Sequence, residues 1–319
     1  MNATPYPMEI EPVDISAYKK GNTGVPYVTT LDSGSTGPHV MVMALTHGNE
    51  LCGAITVDYL LRHEIRPTQG KLTFGFHNTA AYLSFNPDNP TASRFVDEDL
   101  NRVWGVEVLD GDRETSETRR AREMRPVIDT VDLLLDIHSM TNDSPALTLC
   151  GPLEKGRDLA QRLKTPAYVV ADSGHAAGTR LRDYGKFSNP ATPHNALLVE
   201  AGQHWRADAV TISMDVTLRF LRHTGVISED IFRAHVKTDE ANLADQQYIE
   251  VSGPHTIKNN SFTWSKNYTG MELIKKAGTV IGRDGDRDVV TPYDNCVLIM
   301  PNKLKTKGHS AVRFGRLMA

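Results

Sequence analysis

The segment Thr46-His47-Gly48-Asn49-Glu50 holds the first residues of this chain that could do chemistry. A neutral imidazole nitrogen of His47 and a carboxylate oxygen of Glu50 could both bind one cation, and this pair of donors suits zinc. Gly48 has no side chain, so it would let the backbone come close. Taken alone, the pair is a weak signal. A strand-end histidine that caps the next helix is the favoured explanation until further ligands are found.

Further candidates follow two later apolar runs. His138 comes directly after the run from Leu133 to Ile137, and Asp136 lies two residues earlier on the same strand face, where it could orient the imidazole. Glu200 ends the run from Ala196 to Val199. Two histidines and one glutamate leave a tetrahedral position open, which is typical of catalytic zinc, and a nearby glutamate could then move protons. A satisfied polar pair at a strand tip is the alternative.

Strands and helices must carry these residues to one place. The apolar run Val40 to Leu45 predicts a buried strand and Leu51 to Arg62 predicts a buried helix, so His47 and Glu50 would lie in the turn between them. Similar alternation continues to a helix over Arg206 to His223. This pattern predicts an α/β fold with a largely parallel sheet, whose strands end at a ligand-binding crevice. Other predicted elements are an edge strand at Pro26–Leu31, strands at Lys71–Phe76, Val131–Ile137, Tyr168–Val170 and Ala196–Val199, and a helix at Glu114–Ile128.

The bulk properties are those of an ordinary globular protein. The chain has 319 residues, 39% hydrophobic and 23% charged, with a net charge of −4 and no block of like charges. Neither nucleic acid nor an anionic membrane is expected as a partner. No apolar run approaches the roughly 18 residues that span a bilayer, and the start lacks the pattern of a secretion signal. Cys52, Cys150 and Cys296 fit small core residues in a reducing compartment, so we expect a cytoplasmic protein.

The pattern of the sequence changes after about residue 240. Short strand-like runs alternate with Gly, Pro, Asn and Asp turns, which predicts a small all-β domain. The segment from Gly282 to Asp288 could be a calcium loop, but it lacks a ligand at the end of the loop, so a hairpin turn is favoured. The predicted strands of this part lie at Tyr248–Val251, Ser261–Trp264, Thr279–Ile281 and Val297–Met300.

Four motifs occur in order along the chain. They are His47-Gly48-Asn49-Glu50, Ser93-Arg94-Phe95-Val96-Asp97-Glu98-Asp99-Leu100-Asn101-Arg102, Asp136-Ile137-His138 and Val199-Glu200-Ala201-Gly202. Together they resemble the motif series of the aspartoacylase and succinylglutamate desuccinylase family, a branch of the zinc carboxypeptidase-like fold. The resemblance covers roughly residues 35 to 225, and the β-rich part after it is similar to the family's layout. It implies a three-layer αβα zinc hydrolase domain over residues 1–238, with a mostly parallel mixed sheet, and a small all-β domain over residues 239–319.

The resemblance also implies the role of each site residue. His47, Glu50 and His138 would bind one zinc ion per chain, and Glu200 would act as general base and acid. A group of Arg94, Asn101 and Arg102 would hold the substrate carboxylates and polarise the scissile carbonyl. Arginine is suited to both tasks, because its planar fork binds carboxylates and its charge stabilises a developing oxyanion. The alternative is surface arginines in salt bridges with neighbouring acidic residues.

Three assignments are left open by the resemblance. A further substrate arginine usually precedes the catalytic glutamate, and both Arg180 and Arg182 qualify, with Arg180 preferred. Tyr293 could reach the site from the C-terminal domain. His175, His194 and His204 are spare histidines that fit ordinary surface or core positions better than the substrate pocket.

We therefore predict a zinc-dependent amidohydrolase that cleaves a small N-acyl amino acid or a related anionic amide. Glu200 would take a proton from the attacking water, Arg102 and the zinc would hold the oxyanion, and Glu200 would then protonate the departing amine. A carboxypeptidase and a non-catalytic metal-dependent binding protein are the alternatives, and the presence of Glu200 argues against the second. An ester substrate, the identity of the acyl group and of the amine, and assembly into a homo-oligomer stay open.

Overall fold

The computed structural model describes residues 6–302 and 306–318. Within them, eleven strands form one mixed sheet and three form a separate antiparallel sheet. The strands are β1 Val28–Asp32, β2 His39–Ala44, β3 Lys71–Phe76, β4 Leu133–Met140, β5 Leu147–Leu149, β6 Tyr168–Ala171, β7 Asn195–Gln203, β8 Gln247–Thr256, β9 Thr263–Trp264, β10 Glu272–Ile274, β11 Val280–Asp284, β12 Arg287–Val290, β13 Cys296–Ile299 and β14 Ser310–Leu317. The α-helices are α1 Leu51–Arg62, α2 Thr79–Leu83, α3 Val106–Leu109, α4 Ser116–Ile128, α5 Glu154–Leu163, α6 Ala207–His223 and α7 Glu229–His235.

The first part of the chain has three layers. β3, β2, β4 and β7 are parallel neighbours in that order, while β1 at the edge and β5 beyond β7 run antiparallel to them. Helices α1 and α6 cover one face of the sheet, and α4 covers the other. The α/β class, the largely parallel sheet and the amino-terminal edge strand are therefore confirmed.

The sequence of β2 shows why its strand lies at the centre. Val40 and Val42 pack in the cluster that contains α1 and α6, whereas Met41 and Met43 pack in the cluster that contains α4. All four side chains are fully buried. A strand covered on both faces needs apolar residues at every position, and this explains the continuous apolar run.

Two strands extend further than their apolar runs predict. His138 and Glu200 lie inside β4 and β7, not after them, because the backbone ladder continues past the last apolar residue. The two residues are register partners across these parallel strands. A polar side chain ends an apolar run in the sequence, but it does not interrupt backbone pairing. The sheet itself thus places the candidate ligand beside the candidate base.

The described residues of the C-terminal part form strands and loops, as predicted, apart from one 3-10 turn at Glu240–Asn242. β8 pairs in parallel with β6, and β14, β13 and β10 follow it, so the large sheet continues into this part, while β9, β11 and β12 form the small sheet. The segment from Gly282 to Asp288 belongs to the β11–β12 hairpin, which confirms the favoured alternative over a calcium loop. A domain boundary between residues 238 and 239 stays a prediction.

The three cysteines lie in the core as free thiols, which confirms the prediction for their packing. Burial raises the pKa of Cys52 and of Cys150 to about 12, so neither thiol is reactive near neutral pH. No helix in the described ranges is long and apolar enough to cross a bilayer.

Candidate active site

The structure brings His47, Glu50 and His138 together at the carboxyl ends of β2 and β4. One ligand atom from each lies within 4.8 Å of the others, and all three residues are buried. Glu50 lies between the two rings: its Oε1 is 2.8 Å from Nδ1 of His47, and its Oε2 is 3.0 Å from Nδ1 of His138. The two Nδ1 atoms therefore face the same carboxylate, as two ligands of one cation would.

Each imidazole has a second carboxylate on its other nitrogen. Nε2 of His138 is 2.9 Å from Asp136, as predicted, and Nε2 of His47 is 2.8 Å from Asp99. For His138, a proton on Nε2 that is donated to Asp136 leaves the Nδ1 lone pair free for a metal and fixes the orientation of the ring. Nε2 of His47 lies between Asp99 and Nη2 of Arg94, which is 2.9 Å away. The role of Asp99 was not predicted, although its place directly before Leu100-Asn101-Arg102 is visible in the sequence.

The charges at this site favour a bound cation. Burial opposes a charged His138, but Asp136 and Glu50 outweigh it and raise the pKa of this imidazole well above its usual range. Burial likewise opposes ionisation of Glu50, and the neighbouring His47 and His138 hold its pKa well below its usual range. The two imidazoles contact three carboxylates, the buried Glu50 and Asp136 and the partly exposed Asp99, and Arg94 balances part of this negative charge. Two imidazoles and one carboxylate are donors suited to zinc.

Gly48 lets the backbone come close, as predicted. A Cβ at this position would lie 2.4 Å from the carbonyl oxygen of Ser93 and 2.5 Å from the backbone of Tyr82. The amide of Gly48 donates a hydrogen bond to the carbonyl oxygen of Arg94 at 3.1 Å. The glycine therefore lets the turn that carries Arg94 pack against the ligand turn; it makes this contact with the protein's own backbone.

A buried network continues behind Asp136. Its Oδ1 accepts a hydrogen bond of 2.8 Å from the hydroxyl of Thr46, which also lies 3.0 Å from Nδ1 of His77. Burial lowers the pKa of His77 well below its usual range, so this ring is neutral. The network holds Asp136 in the orientation that His138 requires.

Glu200 faces the site from β7. It is buried, and its Oε2 has no hydrogen-bond partner in the described part of the protein. Burial raises its pKa to about 8; the charge of Glu50 adds to this effect, and His138 opposes it. A buried carboxyl group with a free oxygen and a pKa close to neutrality can both accept and donate a proton.

Arg94 and Arg102 stand beside the ligands. Arg94 is 3.2 Å from Asp99 and 3.6 Å from Glu50, and Arg102 is 3.9 Å from Asp99. Burial lowers the pKa of Arg102 to about 10, so it stays charged near neutral pH. Asn101 is buried, and its Oδ1 accepts a hydrogen bond of 2.9 Å from the amide of Leu181. Arg94 and Arg102 thus lie beside the candidate ligands and pair with Asp99, and Asn101 ties their turn to a later segment. A substrate role for these three residues stays a prediction.

Glu117 on α4 anchors the loop between the two arginines. Its fully buried carboxylate accepts hydrogen bonds from three successive backbone amides, those of Val96 at 2.7 Å, Asp97 at 3.1 Å and Glu98 at 3.2 Å. The side chain of Asn78 donates a fourth at 3.0 Å. Sequence reasoning missed this residue, because nothing in the helix pattern distinguishes it from a surface glutamate.

Glu117→Gln is expected to lower the free energy of unfolding by about 1–3 kcal/mol, because an amide nitrogen would face a backbone N–H and leave it unpaired. The loop would lose its anchor, so kcat/KM for an anionic substrate should fall about tenfold while metal content stays unchanged. Chemical denaturation, metal analysis and kinetics on one preparation measure all three. Glu123→Gln, an exposed change on the same helix, should behave as wild type. Unchanged stability in Glu117→Gln would mean that other contacts hold the loop.

Arg180 and Arg182 are both buried and both bound to Asp183. Arg180 also makes hydrogen bonds of 3.1 and 2.5 Å to Asp172, and Arg182 donates one of 2.7 Å to the carbonyl oxygen of Cys150. Neither guanidinium is hydrogen-bonded to the metal-ligand residues within residues 6–302 and 306–318. A substrate role for Arg180 stays a prediction.

Tyr293 lies in the C-terminal part. Its hydroxyl is 2.7 Å from that of Ser252, and the guanidinium of Arg316 lies 3.7 Å above its ring. Both contacts of Tyr293 are with residues of the C-terminal strands. A contact between Tyr293 and the substrate stays a prediction.

The spare histidines lie in three different surroundings. His204 is a neighbour of the ligands: its Nδ1 is 2.8 Å from the hydroxyl of Ser139, whose amide donates to Glu50. Burial lowers the pKa of His204 and of His175 to about 4, and three arginine charges add to the effect on His175. His194 pairs with Asp132 at the amino end of β4, away from the site.

Comparison with known proteins gives a consistent result. Residues 36–224 match the family model described as the succinylglutamate desuccinylase/aspartoacylase catalytic domain. Mouse aspartoacylase is 31% identical over 119 residues, and this match spans 33% of the chain and 35% of the mouse protein, so the chain matches about a third of that relative's length.

Solved structures of low sequence identity have the same fold. The succinylglutamate desuccinylase of Vibrio parahaemolyticus superposes with a TM-score of 0.67 at 17% identity, covering 92% of the chain and 87% of that protein. Murine aminoacylase 3 superposes with a TM-score of 0.60 at 18% identity, covering 89% and 96%. The three-layer domain and the β-rich C-terminal part are both included in these matches.

Proposed function

The chain belongs to the succinylglutamate desuccinylase/aspartoacylase family, and on that premise we propose that it is a zinc-dependent deacylase. Its substrate is a small N-acyl amino acid or a related anionic N-acyl compound, and it cleaves the amide bond. The observation that carries the proposal is the buried set of His47, Glu50 and His138 with Glu200 as register partner of His138. A catalytic zinc site needs three protein ligands, an open position and a nearby proton carrier, and these four residues supply them.

The donor atoms fit zinc well. Both histidines turn Nδ1 toward Glu50, and an aspartate lies against each Nε2 atom. His47, Glu50 and His138 would hold the ion. When bound, it would polarise the carbonyl of the substrate and lower the pKa of a water molecule.

Glu200 moves the proton in the proposed reaction. Its unpaired Oε2 takes a proton from the attacking water as the oxygen adds to the amide carbon. The same oxygen then gives this proton to the amide nitrogen, so that the carbon–nitrogen bond breaks and a neutral amine leaves. Since the proton that is taken is the one returned, Glu200 ends the cycle as it began.

The arginines bind and orient the substrate. Arg102 points hydrogen-bond donors and a positive charge at the carbonyl oxygen, where negative charge develops in the transition state. Arg94 binds a carboxylate of the substrate through its planar fork. The loop fixed by Glu117 holds both in place.

A carboxypeptidase and a non-catalytic metal-binding protein remain the alternatives. A carboxypeptidase would share the ligands and Glu200. A binding protein has no use for a buried carboxyl group that lacks a hydrogen-bond partner, because such a group destabilises the fold. The family membership favours the deacylase over both.

The decisive experiment measures the free amine released from a panel of N-acetyl, N-succinyl and N-formyl amino acids. Dipeptides, which test for a carboxypeptidase, and esters are assayed in parallel. We expect turnover of at least one anionic N-acyl amino acid, loss of turnover with a chelator, and its return with zinc. Faster turnover of dipeptides would support the carboxypeptidase.

Metal content provides the control for this assay. The wild-type protein should contain about one zinc per chain, and His47→Ala/His138→Ala should contain little. His63→Ala/His235→Ala, which changes a pair of histidines elsewhere on the molecule, should retain the metal. Wild-type stoichiometry in the first double variant would exclude the proposed ligand set.

A further inference from the structure

Arg313 on the C-terminal strand β14 has an unusual environment. Its side chain is only 15% exposed, and its Nε lies 3.8 Å from Oδ2 of Asp172. That distance is too long for a hydrogen bond. Asp172 is already held by two hydrogen bonds from Arg180. Within residues 6–302 and 306–318, Arg313 has no other carboxylate within 4 Å.

The buried charges around Asp172 do not cancel. Three guanidinium groups, those of Arg180, Arg182 and Arg313, meet two carboxylates, those of Asp172 and Asp183, so the cluster has one excess positive charge. Arg180 and Arg182 are hydrogen-bonded to these carboxylates, whereas Arg313 has only the 3.8 Å ion pair with Asp172, so Arg313 is the least compensated of the three. The charge of Glu200 also acts on Arg313. A largely buried guanidinium without a hydrogen-bonded anion is costly. An anion that binds from the solvent side would stabilise such a group, and the 15% exposure of the side chain leaves room for this contact.

Arg313 faces the same side of the sheet as Glu200. A Cβ at Gly315 would lie 2.5 Å from Ile249, so this position on β14 points into the apolar cluster that also contains Leu198. Residues two apart on a strand share a face. The register with β8 shifts between Phe314 and Gly315, but Ile299, the partner of Arg313 on β13, belongs to the same cluster. Arg313 therefore lies on this face of the sheet, and Glu200 lies on the face of Leu198.

The charge of Arg313 acts on the candidate substrate group. Burial is the main cause of the lowered pKa of Arg102, and the charges of Arg94, Arg180 and Arg313 add to it. Burial also lowers the pKa of His175, with Arg102 and Arg313 adding to the effect. Arg313 thus belongs to the same electrostatic environment as the substrate arginines.

We propose that Arg313 is a specificity-determining residue that binds a second carboxylate of the substrate, while Arg94 and Arg102 bind the first carboxylate and the scissile carbonyl. The inference rests on the proposed deacylase function and adds to it a recognition group supplied by the C-terminal strands. Asp172, held by Arg180, positions Arg313 without neutralising it. An N-acyl compound with one carboxylate would leave the excess charge unpaired, so it should be a poorer substrate.

Matched substrates test this directly. N-acetyl-L-glutamate and N-acetyl-L-glutamine differ by one carboxylate on the amine side, and N-succinyl-L-alanine and N-succinamoyl-L-alanine differ by one on the acyl side. For the preferred pair we expect Arg313→Met to lower kcat/KM on the acid about 10- to 100-fold and on the amide less than about threefold. The kcat/KM of Arg313→Lys on the acid should lie between the values for wild type and Arg313→Met. Arg283→Met, a change at an exposed residue, should match wild type. Equal losses on acid and amide, or unchanged discrimination in Arg313→Met, would refute the assignment.

A binding measurement separates this inference from the proposed reaction. Calorimetry on the zinc-loaded protein compares succinate with its half-amide succinamate. We expect wild type to bind succinate more tightly than succinamate, Arg313→Met to bind succinate at least tenfold more weakly than wild type, and Arg283→Met to bind it as wild type does. This result would support the role of Arg313 even if no N-acyl compound were hydrolysed. In that case the proposed reaction would be wrong and the recognition site right. Equal binding of both probes by wild type, or succinate binding unchanged by Arg313→Met, would overturn the inference.

Discussion

Glu200→Gln is expected to lower kcat about 10²- to 10⁴-fold, the usual contribution of general acid–base catalysis. Glutamine keeps the size of the side chain but cannot accept the proton from water or return it to the amine. Because the proposed ligands are His47, Glu50 and His138, zinc should remain at about one per chain. The melting temperature should not fall, since Oε2 of Glu200 has no hydrogen bond to lose. Metal content, melting and turnover should be measured on one preparation.

Glu250→Gln is the matched control, because Glu250 is an exposed glutamate on β8, another strand of the same sheet. It should retain wild-type metal content, stability and turnover. If Glu200→Gln lost its zinc together with its activity, Glu200 would be a ligand. If it retained activity, the proposed reaction would have no base.

Local sequence patterns predicted the residues that meet at the candidate metal site. His47 and Glu50 follow a strand that is apolar from Val40 to Ala44, and Asp136 and His138 lie two residues apart on a strand that begins with three leucines. Parallel neighbouring strands of a buried sheet end at the same edge, so residues near their carboxyl ends come together regardless of the conformation of the loops. The helix at Leu51–Arg62 and the strand at Lys71–Phe76 were predicted with the bounds that the structure has. In these segments local preference and tertiary packing favour the same conformation.

Contacts between distant segments could not be predicted in this way. Asp99 reaches His47 across 52 residues, and Glu117 reaches the loop of Val96 from a helix that looks like a solvent-exposed one. Both are acidic residues in charged segments, where the sequence gives no sign of which carboxylate is buried. Arg313 was missed for the same reason, since only the pairing of β14 with β8 brings it to the face of Glu200.

The C-terminal part illustrates a second limit. Its short strands and turns were recognised, but short runs do not reveal whether they close into a sheet of their own or extend an existing one. The parallel pairing of β8 with β6 makes the large sheet continuous. One consequence is functional: a residue on β14 becomes rigidly placed relative to the catalytic strands, which a flexibly attached domain would not allow.

Arg102→Lys is expected to lower kcat/KM about 10²- to 10³-fold on the best substrate, comparable to the loss of one oxyanion donor. Lysine keeps the charge but replaces a planar fork of donors by a single ammonium group. The Nη1 atom of Arg102 donates to the carbonyl oxygen of Asn101 at 2.7 Å, so the fork is held at one end while the rest is available to the substrate. Lysine could make one of these interactions, but not both in the same geometry.

Arg113→Lys is the control for charge and position, since Arg113 is 53% exposed in a surface pair with Glu98. It should change kcat/KM by less than about twofold, because exposed ion pairs contribute little. Arg102→Lys should keep its zinc and its melting temperature, which would separate a lost transition-state contact from a damaged fold. Since the interaction forms mainly as charge develops on the carbonyl oxygen, the loss should appear in kcat more than in KM. Wild-type kinetics of Arg102→Lys on every substrate would rule out the oxyanion role, and a loss confined to KM would make Arg102 a carboxylate-binding residue instead.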